Sequence, residues 1–273
     1  MLMAVRTKTW APELVDLAGV PTEALPEIVP PQETAGALGD AAASELGLLP
    51  GTPAVARALD SLMELLSLGL VQDGESMLRM GTAGGVMAIS AAATPNPLCI
   101  TYPYVHGMWA TQAFTNSCAS ALQWIGRILG GRDEGTPATG DRLDYAELDR
   151  MAAAAPLGSD RVIFHPYLLG ERAPHWDPDL RASFTGASAA TGRNELVRSV
   201  MEGVAYSLRD CLNLLRESGF AVRRLKLAGG GGKSRVWPQI VADVLGEELV
   251  RASSGDSSLG VAMLAAVAVG AFP

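Results

Sequence analysis

The sequence lacks long runs of like charge, and its basic residues form no stripe. Lysine and arginine number 21 against 29 aspartates and glutamates, which gives a net charge of −8 and a pI of about 4.9. A nucleic-acid-binding surface requires clustered basic residues. We therefore expect no nucleic-acid partner, and the acidity is compatible with an enzyme that acts on small molecules.

Cysteine is also scarce, with only Cys99, Cys118 and Cys211 in the chain and no Cys-x-x-Cys pair. This spacing excludes a zinc ribbon and a disulfide framework. We expect the three to be buried, free thiols in a reducing compartment. The histidines show no metal-ligand spacing, so no protein metal site is predicted.

No segment is apolar for long enough to cross a bilayer, because a spanning helix needs roughly 20 apolar residues. The most apolar stretch, 259–272, is shorter and is predicted to be a buried helix. The first ten residues lack the apolar core of a signal peptide. These absences predict a soluble, cytoplasmic protein with no membrane partner.

Apolar residues make up 48% of the 273 residues, enough to form the core of one large or two small domains. Residues 1–33 contain five prolines and are predicted to be an irregular connector. Strands and helices alternate in the second half, which favours an α/β fold. The predicted helices are 41–46, 60–70, 116–130, 144–154, 194–217, 236–245 and 257–271; the predicted strands are 51–56, 75–80, 85–90, 161–164, 224–227 and 249–252.

Four consecutive glycines, Gly229 to Gly232, follow a predicted strand and precede Lys233 and Ser234. A Walker A loop needs glycine where Leu227 stands, and a dinucleotide fingerprint needs glycine where Ser234 stands. A third possibility is a strand–turn–helix in which the backbone closely approaches a flat ligand. The alternative, a tight turn without a ligand, stays open.

Two segments together resemble a known family. GGGGKSRVWPQIVADVLG is similar to the adenosine-binding segment of the FGGY carbohydrate kinases, and FHPYLLGERAPHWDPDLRASFTG to a second stretch of the same family. The resemblance implies an α/β, actin-like (ribonuclease H-like) ATPase fold. It also implies ATP and Mg²⁺ as cofactors and a sugar or sugar acid as substrate, most similar to xylulokinases and gluconokinases.

The resemblance implies only part of such a kinase. Residues 8–35 resemble the end of the family's N-terminal domain, so residues 1–52 are predicted to be its remnant and connector. Residues 53–273 are predicted to be the C-terminal, nucleotide-binding domain. One wall of the cleft would be absent, so we expect little activity from the chain alone. The alternative is a non-catalytic remnant that binds nucleotide or a partner; its exposed apolar wall leaves a homodimer open.

The resemblance also assigns roles to individual residues. Asp60, at a predicted helix start about twenty residues before a small-residue hairpin, takes the place of the general base. Considered alone, an aspartate there is more often an N-cap. Gly81 and Thr82, at the hairpin tip, would hold the ATP phosphates, because a hydroxyl and exposed amides form an anion nest.

The remaining candidates concern the adenosine. Gly230 and Ser234 match adenine and ribose contacts, and Gly231 belongs to the same turn. Gln123 matches a helix residue that faces the nucleotide, although a solvated helix face is an equal alternative. Glu171 and Arg172 are predicted to form an ion pair that fixes their loop.

Overall fold

A mixed six-stranded sheet forms the centre of the protein. The computed structural model describes residues 2–56, 59–130, 144–252 and 255–271. The strands of this sheet are β5 (Glu75–Met80), β6 (Gly84–Ser90), β7 (Ile100–Pro103), β8 (Trp109–Thr115), β11 (Arg224–Ala228) and β12 (Leu249–Arg251). Their spatial order is β12-β11-β5-β6-β8-β7. Strands β12, β11 and β5 run parallel to one another. The pairs β5–β6, β6–β8 and β8–β7 are antiparallel.

Three pairs of short strands, each strand two to four residues long, lie outside this sheet. They are β1 (Met3–Ala4) with β2 (Thr9–Trp10), β3 (Thr34–Ala37) with β4 (Pro53–Val55), and β9 (Ile163–His165) with β10 (Ser183–Thr185). The helices are α1 (Pro12–Ala18), α2 (Asp40–Leu46), α3 (Asp60–Ser67), α4 (Ala119–Leu129), α5 (Tyr145–Ala154), α6 (Arg193–Glu217), α7 (Trp237–Leu245) and α8 (Ser257–Ala268).

Each face of the sheet is covered by its own helices. Alternate strand residues such as Leu78, Val86 and Ala88 pack against α4, α5, α6 and α7 in the larger apolar cluster. The residues between them, such as Met77 and Met87, pack against α3 and α8 in the smaller cluster. Because side chains of a strand alternate between faces, one pattern supplies both cores.

The long helix α6 is confirmed almost to the residue and shows why its sequence is helical. Its apolar residues recur every three or four positions and lie in the larger core. The Glu195 carboxylate accepts a hydrogen bond from the Gly192 backbone N–H at 2.9 Å, which satisfies a donor at the helix start. The predicted α4, α5, α7, β5, β6, β11 and β12 are also present, with ends shifted by up to three residues.

Several predictions of local structure are wrong. The stretch predicted as an irregular connector contains α1, which begins with Pro12 and ends at Gly19 in the left-handed conformation (φ 63°). Strands β7 and β8 were not predicted. Helix α3 ends at Ser67 rather than at Leu70, because Gly69 takes a positive φ of 66°.

Helix α8 is not buried as predicted. Of its residues only Gly260 and Leu264 are buried, whereas Leu259 is 43% and Val261 54% exposed. It packs on α3 through one side. No helix among the described residues is both long and apolar enough to span a membrane.

All three cysteines are free, and Cys118 and Cys211 are buried as predicted. Cys99 is only half-buried, which corrects that part of the prediction. Burial raises the pKa of the Cys99 thiol to about 11. The thiol therefore stays protonated near neutral pH, and a protonated thiol is a poor nucleophile.

The contact between α3 and α8 tests this packing directly. A Cβ added to Gly260 would lie 1.9 Å from the Met63 carbonyl oxygen, so Gly260→Ala must push the helices apart. We expect it to lower the free energy of unfolding by roughly 1–3 kcal/mol, the usual effect of overpacking. Urea denaturation measures this.

Gly36→Ala is the matched control, because nothing lies within 4 Å of its added Cβ. Equal unfolding midpoints for the two variants would contradict the close helix contact.

Candidate functional site

Two turns meet at one edge of the central sheet. Strands β5 and β11 are parallel neighbours, with Ala228 opposite Arg79. Since carboxyl ends of parallel strands point to the same edge, the turns that follow them emerge side by side. One is the hairpin tip of residues 81–83, and the other is the glycine turn of residues 229–233.

The glycine turn packs directly on the end of β5. Gly229 has a φ of 85°, and a Cβ at this position would lie 2.7 Å from the Met80 carbonyl carbon and oxygen. At Gly231 a Cβ would lie 2.9 Å from the Met80 Cβ. Only glycine permits such an approach. These two glycines therefore hold the glycine turn against the hairpin.

Gly230 differs from its two neighbours in its surroundings. Nothing lies within 4 Å of an added Cβ there, so its backbone faces open space. Trp237 anchors the turn from behind, because its indole Nε1 donates to the Met201 carbonyl of α6 at 3.1 Å. A ligand can thus approach the turn closely at Gly230 but not at Gly229 or Gly231.

The hairpin tip presents free backbone N–H groups, and two of its carbonyls are already hydrogen-bonded. The Gly81 carbonyl accepts from the Ala119 N–H at 2.9 Å, and the Thr82 carbonyl accepts from the Cys118 N–H at 3.0 Å. The N–H groups of Thr82 and Ala83 donate to no described residue. The carbonyls of Gly81 and Thr82 thus accept hydrogen bonds from the start of α4. The exposed Thr82 and the free N–H groups of Thr82 and Ala83 can therefore bind an anion.

Helix α5 connects two of the predicted nucleotide residues. The Gln123 Nε2 donates to the Tyr145 hydroxyl at 2.9 Å, and the Ser234 hydroxyl donates to the Asp149 carboxylate at 2.7 Å. Ser234 Oγ also accepts from the Trp237 N–H at 2.9 Å, near the start of α7. Gln123 is half-buried, and its hydrogen bond to Tyr145 lies at the protein surface.

Tyr145 and Asp149 were not identified from the sequence. They lie four residues apart, and this spacing places both side chains on one face of a helix. That spacing was the available signal, but it does not reveal which neighbours the face meets.

Asp60 lies in the first turn of α3, and it is Leu59 that occupies the N-cap position. The N-cap alternative is therefore wrong for Asp60. The Asp60 carboxylate accepts from the Ser61 N–H at 2.7 Å. Asp60 is exposed, so its carboxylate is accessible to a ligand.

Asp60 also lines a cavity of about 420 Å³. The cavity lies between the N-terminal segment, the start of α3 and the edge strand β7. It is lined by Met3, Ile28, Val29, Pro31, Leu59, Asp60, Leu62, Tyr102 and Pro103. Apart from Asp60 and the Tyr102 hydroxyl the wall is apolar, so Asp60 is the one charged group that this cavity offers among the described residues.

An ion pair connects the helix of Asp60 to the strand of the hairpin. Glu64, one turn after Asp60, lies with its Oε2 2.8 Å from the Arg79 Nε. Burial raises the pKa of Glu64, Arg79 opposes this, and the nearby carboxylates of Asp60 and Asp256 raise the pKa further. Asp60 and the hairpin therefore lie on the same edge of the sheet.

The loop that contains Glu171 is fixed differently from the prediction. Its buried carboxylate accepts from the Thr115 hydroxyl at 2.6 Å and from the Asn116 N–H at 2.8 Å. Glu171 and Arg172, both among the described residues, form no ion pair. The positive charge of Arg172 instead acts on Tyr102, where it opposes the rise in pKa that burial causes. Glu171 does fix the loop, but it does so through strand β8.

Comparison with known proteins identifies the family. The model of the "FGGY family of carbohydrate kinases, C-terminal domain" matches residues 76–269. The chain belongs to the FGGY family of carbohydrate kinases. The family's N-terminal domain model also matches residues 1–67.

FGGY relatives match nearly the whole chain. Gluconokinase of Bacillus subtilis is 31% identical over 98% of this chain and 53% of its own length. Xylulose kinase of Escherichia coli is 30% identical over 98% of this chain and 54% of its own length. The crystal structure of xylulose kinase from Rhodospirillum rubrum has a TM-score of 0.85 and 32% identity, covering 98% of this chain and 53% of that one.

The chain thus spans about half the length of the curated relatives it matches. These structures have the actin-like ATPase fold of FGGY sugar kinases, and the fold prediction is confirmed.

The residues present fit a nucleoside triphosphate. The open backbone at Gly230 can receive a flat base, and the free amides at Thr82 can receive phosphate. Within the described ranges, no group of three or more acidic, histidine or cysteine side chains is arranged to hold a metal.

Alanine variants of neighbouring glycines separate packing from ligand contact. Gly229→Ala meets the Met80 backbone at a positive φ, and we expect it to lower the free energy of unfolding by more than about 1 kcal/mol. Gly230→Ala enters open space and should stay within about 0.5 kcal/mol of wild type. It should nevertheless weaken ATP binding.

Thermal denaturation and calorimetric titration with ATP measure the two effects. Wild-type ATP affinity in Gly230→Ala would contradict a base-binding role for this position.

Proposed function

We propose that this chain is the nucleotide-binding half of an ATP-dependent carbohydrate kinase. The intact kinase would transfer the γ-phosphoryl group of ATP to a hydroxyl of a sugar or sugar acid. The observation that carries this proposal is the close approach of Gly229 to Met80, because it joins the glycine turn to the hairpin tip at one edge of the sheet. Residues 1–52 are assigned to the end of the N-terminal domain and its connector, and residues 53–273 to the nucleotide domain.

Asp60 is assigned as the general base. Proton removal requires a carboxylate that can contact the acceptor hydroxyl, and Asp60 is exposed and lines a cavity large enough for a sugar. The hydroxyl would donate its proton to the Asp60 carboxylate while its oxygen attacks the phosphorus.

Gly81 and Thr82 are assigned to the phosphates. In phosphoryl transfer, catalysis consists largely of positioning and of neutralising charge on the phosphate oxygens. The Thr82 hydroxyl and the free N–H groups of the tip supply donors for this purpose. The carbonyls, which would repel phosphate, are bonded to the start of α4.

Gly230, Gly231, Ser234 and Gln123 are assigned to the adenosine. Gly230 offers the open backbone against which the base can lie, and Gly231 sets the turn. Ser234 and Gln123 border the same region through α5, to which both side chains are hydrogen-bonded. Mg²⁺, held together with a nucleotide at Gly81 and Thr82, would supply charge neutralisation during the transfer.

The substrate class is proposed from the relatives. Proteins named gluconokinase and xylulose kinase match the whole chain at similar identity, so a five-carbon ketose and a six-carbon sugar acid are both candidates. Only Asp60 and the Tyr102 hydroxyl give polar character to the cavity wall. Most selective contacts to the substrate would thus come from the N-terminal domain.

Replacement of the base tests the catalytic proposal. Asp60→Asn keeps the size of the side chain but cannot take a proton, and we expect turnover to fall by about 100-fold or more. A coupled assay of ADP release with a panel of ketoses, aldoses and sugar acids measures turnover. The matched control is Asp40→Asn, another aspartate at the first position of a helix.

Wild-type turnover in Asp60→Asn would contradict the assignment of the base. Because little activity is expected from this half of a kinase alone, nucleotide binding without turnover by the wild-type chain fits both this function and a second function.

That second function is a non-catalytic module that binds nucleotide or a partner chain. It is favoured by several exposed leucines in the N-terminal quarter, including Leu17 at 85% and Leu49 at 78% exposure. Exposed apolar patches promote association, including formation of a homodimer.

Light scattering and thermal denaturation with and without ATP distinguish the two functions when combined with the turnover assay. For a nucleotide-binding protein we expect a melting temperature that rises with ATP concentration, because a ligand that binds only the folded state stabilises it. A module that binds only partner chains should form dimers and show no such rise.

A further inference from the structure

Arg79 lies between the proposed base and the proposed phosphate site. It is the residue before the last in β5, and its side chain points to the face covered by α3. The Gly81 position of the hairpin tip, probed by an added Cβ, is 3.7 Å from the Arg79 Nε and 3.8 Å from its Cζ. The guanidinium therefore lies against the hairpin tip.

The two ends of this guanidinium have different surroundings. Its Nε is buried and faces Glu64, yet 32% of the side chain as a whole is exposed. Arginine carries five N–H donors in a planar fork, so an arginine held at Nε still has two terminal nitrogens free to donate. No described residue forms a hydrogen bond with these terminal nitrogens.

Glu64 gives an independent sign that the pair is incomplete. Its side chain is only 9% exposed, and its Oε2 lies 2.8 Å from the Arg79 Nε. Despite this short distance, neither atom makes an aligned hydrogen bond with any described residue. Buried polar atoms of this kind are normally satisfied.

The charges that act on Glu64 are mostly negative. Asp60 and Asp256 act on it as further negative charges, and Arg79 is the one cation that acts on it among the described residues. Phosphate oxygens entering this region would meet several carboxylates, and Arg79 is placed to offset that repulsion. Arginine matches phosphate geometry with two parallel N–H donors.

We propose that Arg79 is a phosphate-binding residue, fixed through its Nε by Glu64 so that its terminal nitrogens face the phosphates of a nucleotide held at Gly81 and Thr82. This inference rests on the proposed function and adds to it a cationic contact. Glu64 is then a positioning residue, since it contacts Arg79 and not the ligand.

Binding of ADP compared with adenosine tests the role of Arg79. We expect Arg79→Met to weaken ADP binding by about 10-fold or more, the effect of losing hydrogen bonds to a charged group, and to leave adenosine binding within about twofold. Isothermal titration of the full chain with Mg²⁺ present measures both affinities. Arg127→Met, a change at an exposed arginine near the end of α4, is the matched control.

Two further variants separate a ligand contact from a structural role. Arg79→Met/Glu64→Gln removes the charge of both partners, so no buried carboxylate is left without its cation, and it should show the same selective loss of ADP affinity. Arg79→Lys keeps the charge but loses the fork, and we expect it to restore only part of that affinity.

The outcomes are distinct for the two proposals. If wild type and both Arg79→Met variants show the same ratio of ADP to adenosine affinity, the phosphate role of Arg79 is overturned, while the proposed function stands. If wild-type chain binds neither ligand, the proposed nucleotide function is overturned, and the role of Arg79 with it.

Discussion

The close approach of Gly229 and Gly231 to the end of β5 is the constraint on which the site depends. Both positions leave no room for a Cβ, because the backbone or side chain of Met80 is within 3 Å of where it would lie. This contact brings a turn from residue 229 next to a turn from residue 81, although nearly 150 residues separate them in the chain. Every assignment to nucleotide or phosphate follows from that adjacency.

The same edge of the sheet also sorts backbone polarity. Helix α4 begins at the hairpin tip, and its first N–H groups are used by the carbonyls of Gly81 and Thr82. The tip thereby presents N–H groups outward, as an anion site requires. On the opposite face of the sheet, α3 places Asp60 and Glu64 one turn apart. The proposed base, the cation and the amides thus come from separate elements that share one edge.

Parts of the fold that depend on local pattern could be predicted from the sequence. Helix α6 has a strong repeat of apolar residues, and strands β5 and β6 are separated by a short run of small residues. Strand β8 could not be found in this way, since Trp109–Thr115 mixes alanine, threonine and glutamine yet is almost wholly buried. Its pairing with β6 on one side and β7 on the other, rather than its own hydrophobicity, makes it a strand.

The candidate site shows the same division. The glycine run indicated a close backbone approach, but the sequence could not show that Gly229 and Gly231 approach Met80 and that only Gly230 is open. Nor could it show that Tyr145 and Asp149 meet Gln123 and Ser234, because these contacts join separate helices and turns. Side-chain partners of this kind depend on tertiary packing, which spacing along one element does not encode.

The glycine contact between α3 and α8 has a mechanical consequence for the base. With Gly260 pressed against the Met63 carbonyl, the two helices cannot slide past each other without breaking van der Waals contact. Asp60 at the start of one and Asp256 at the cap of the other are therefore carried as a single stiff unit. The width of the cavity therefore depends on how this helix pair sits against its other wall, near residues 3 and 28–31, and not on a shift between α3 and α8.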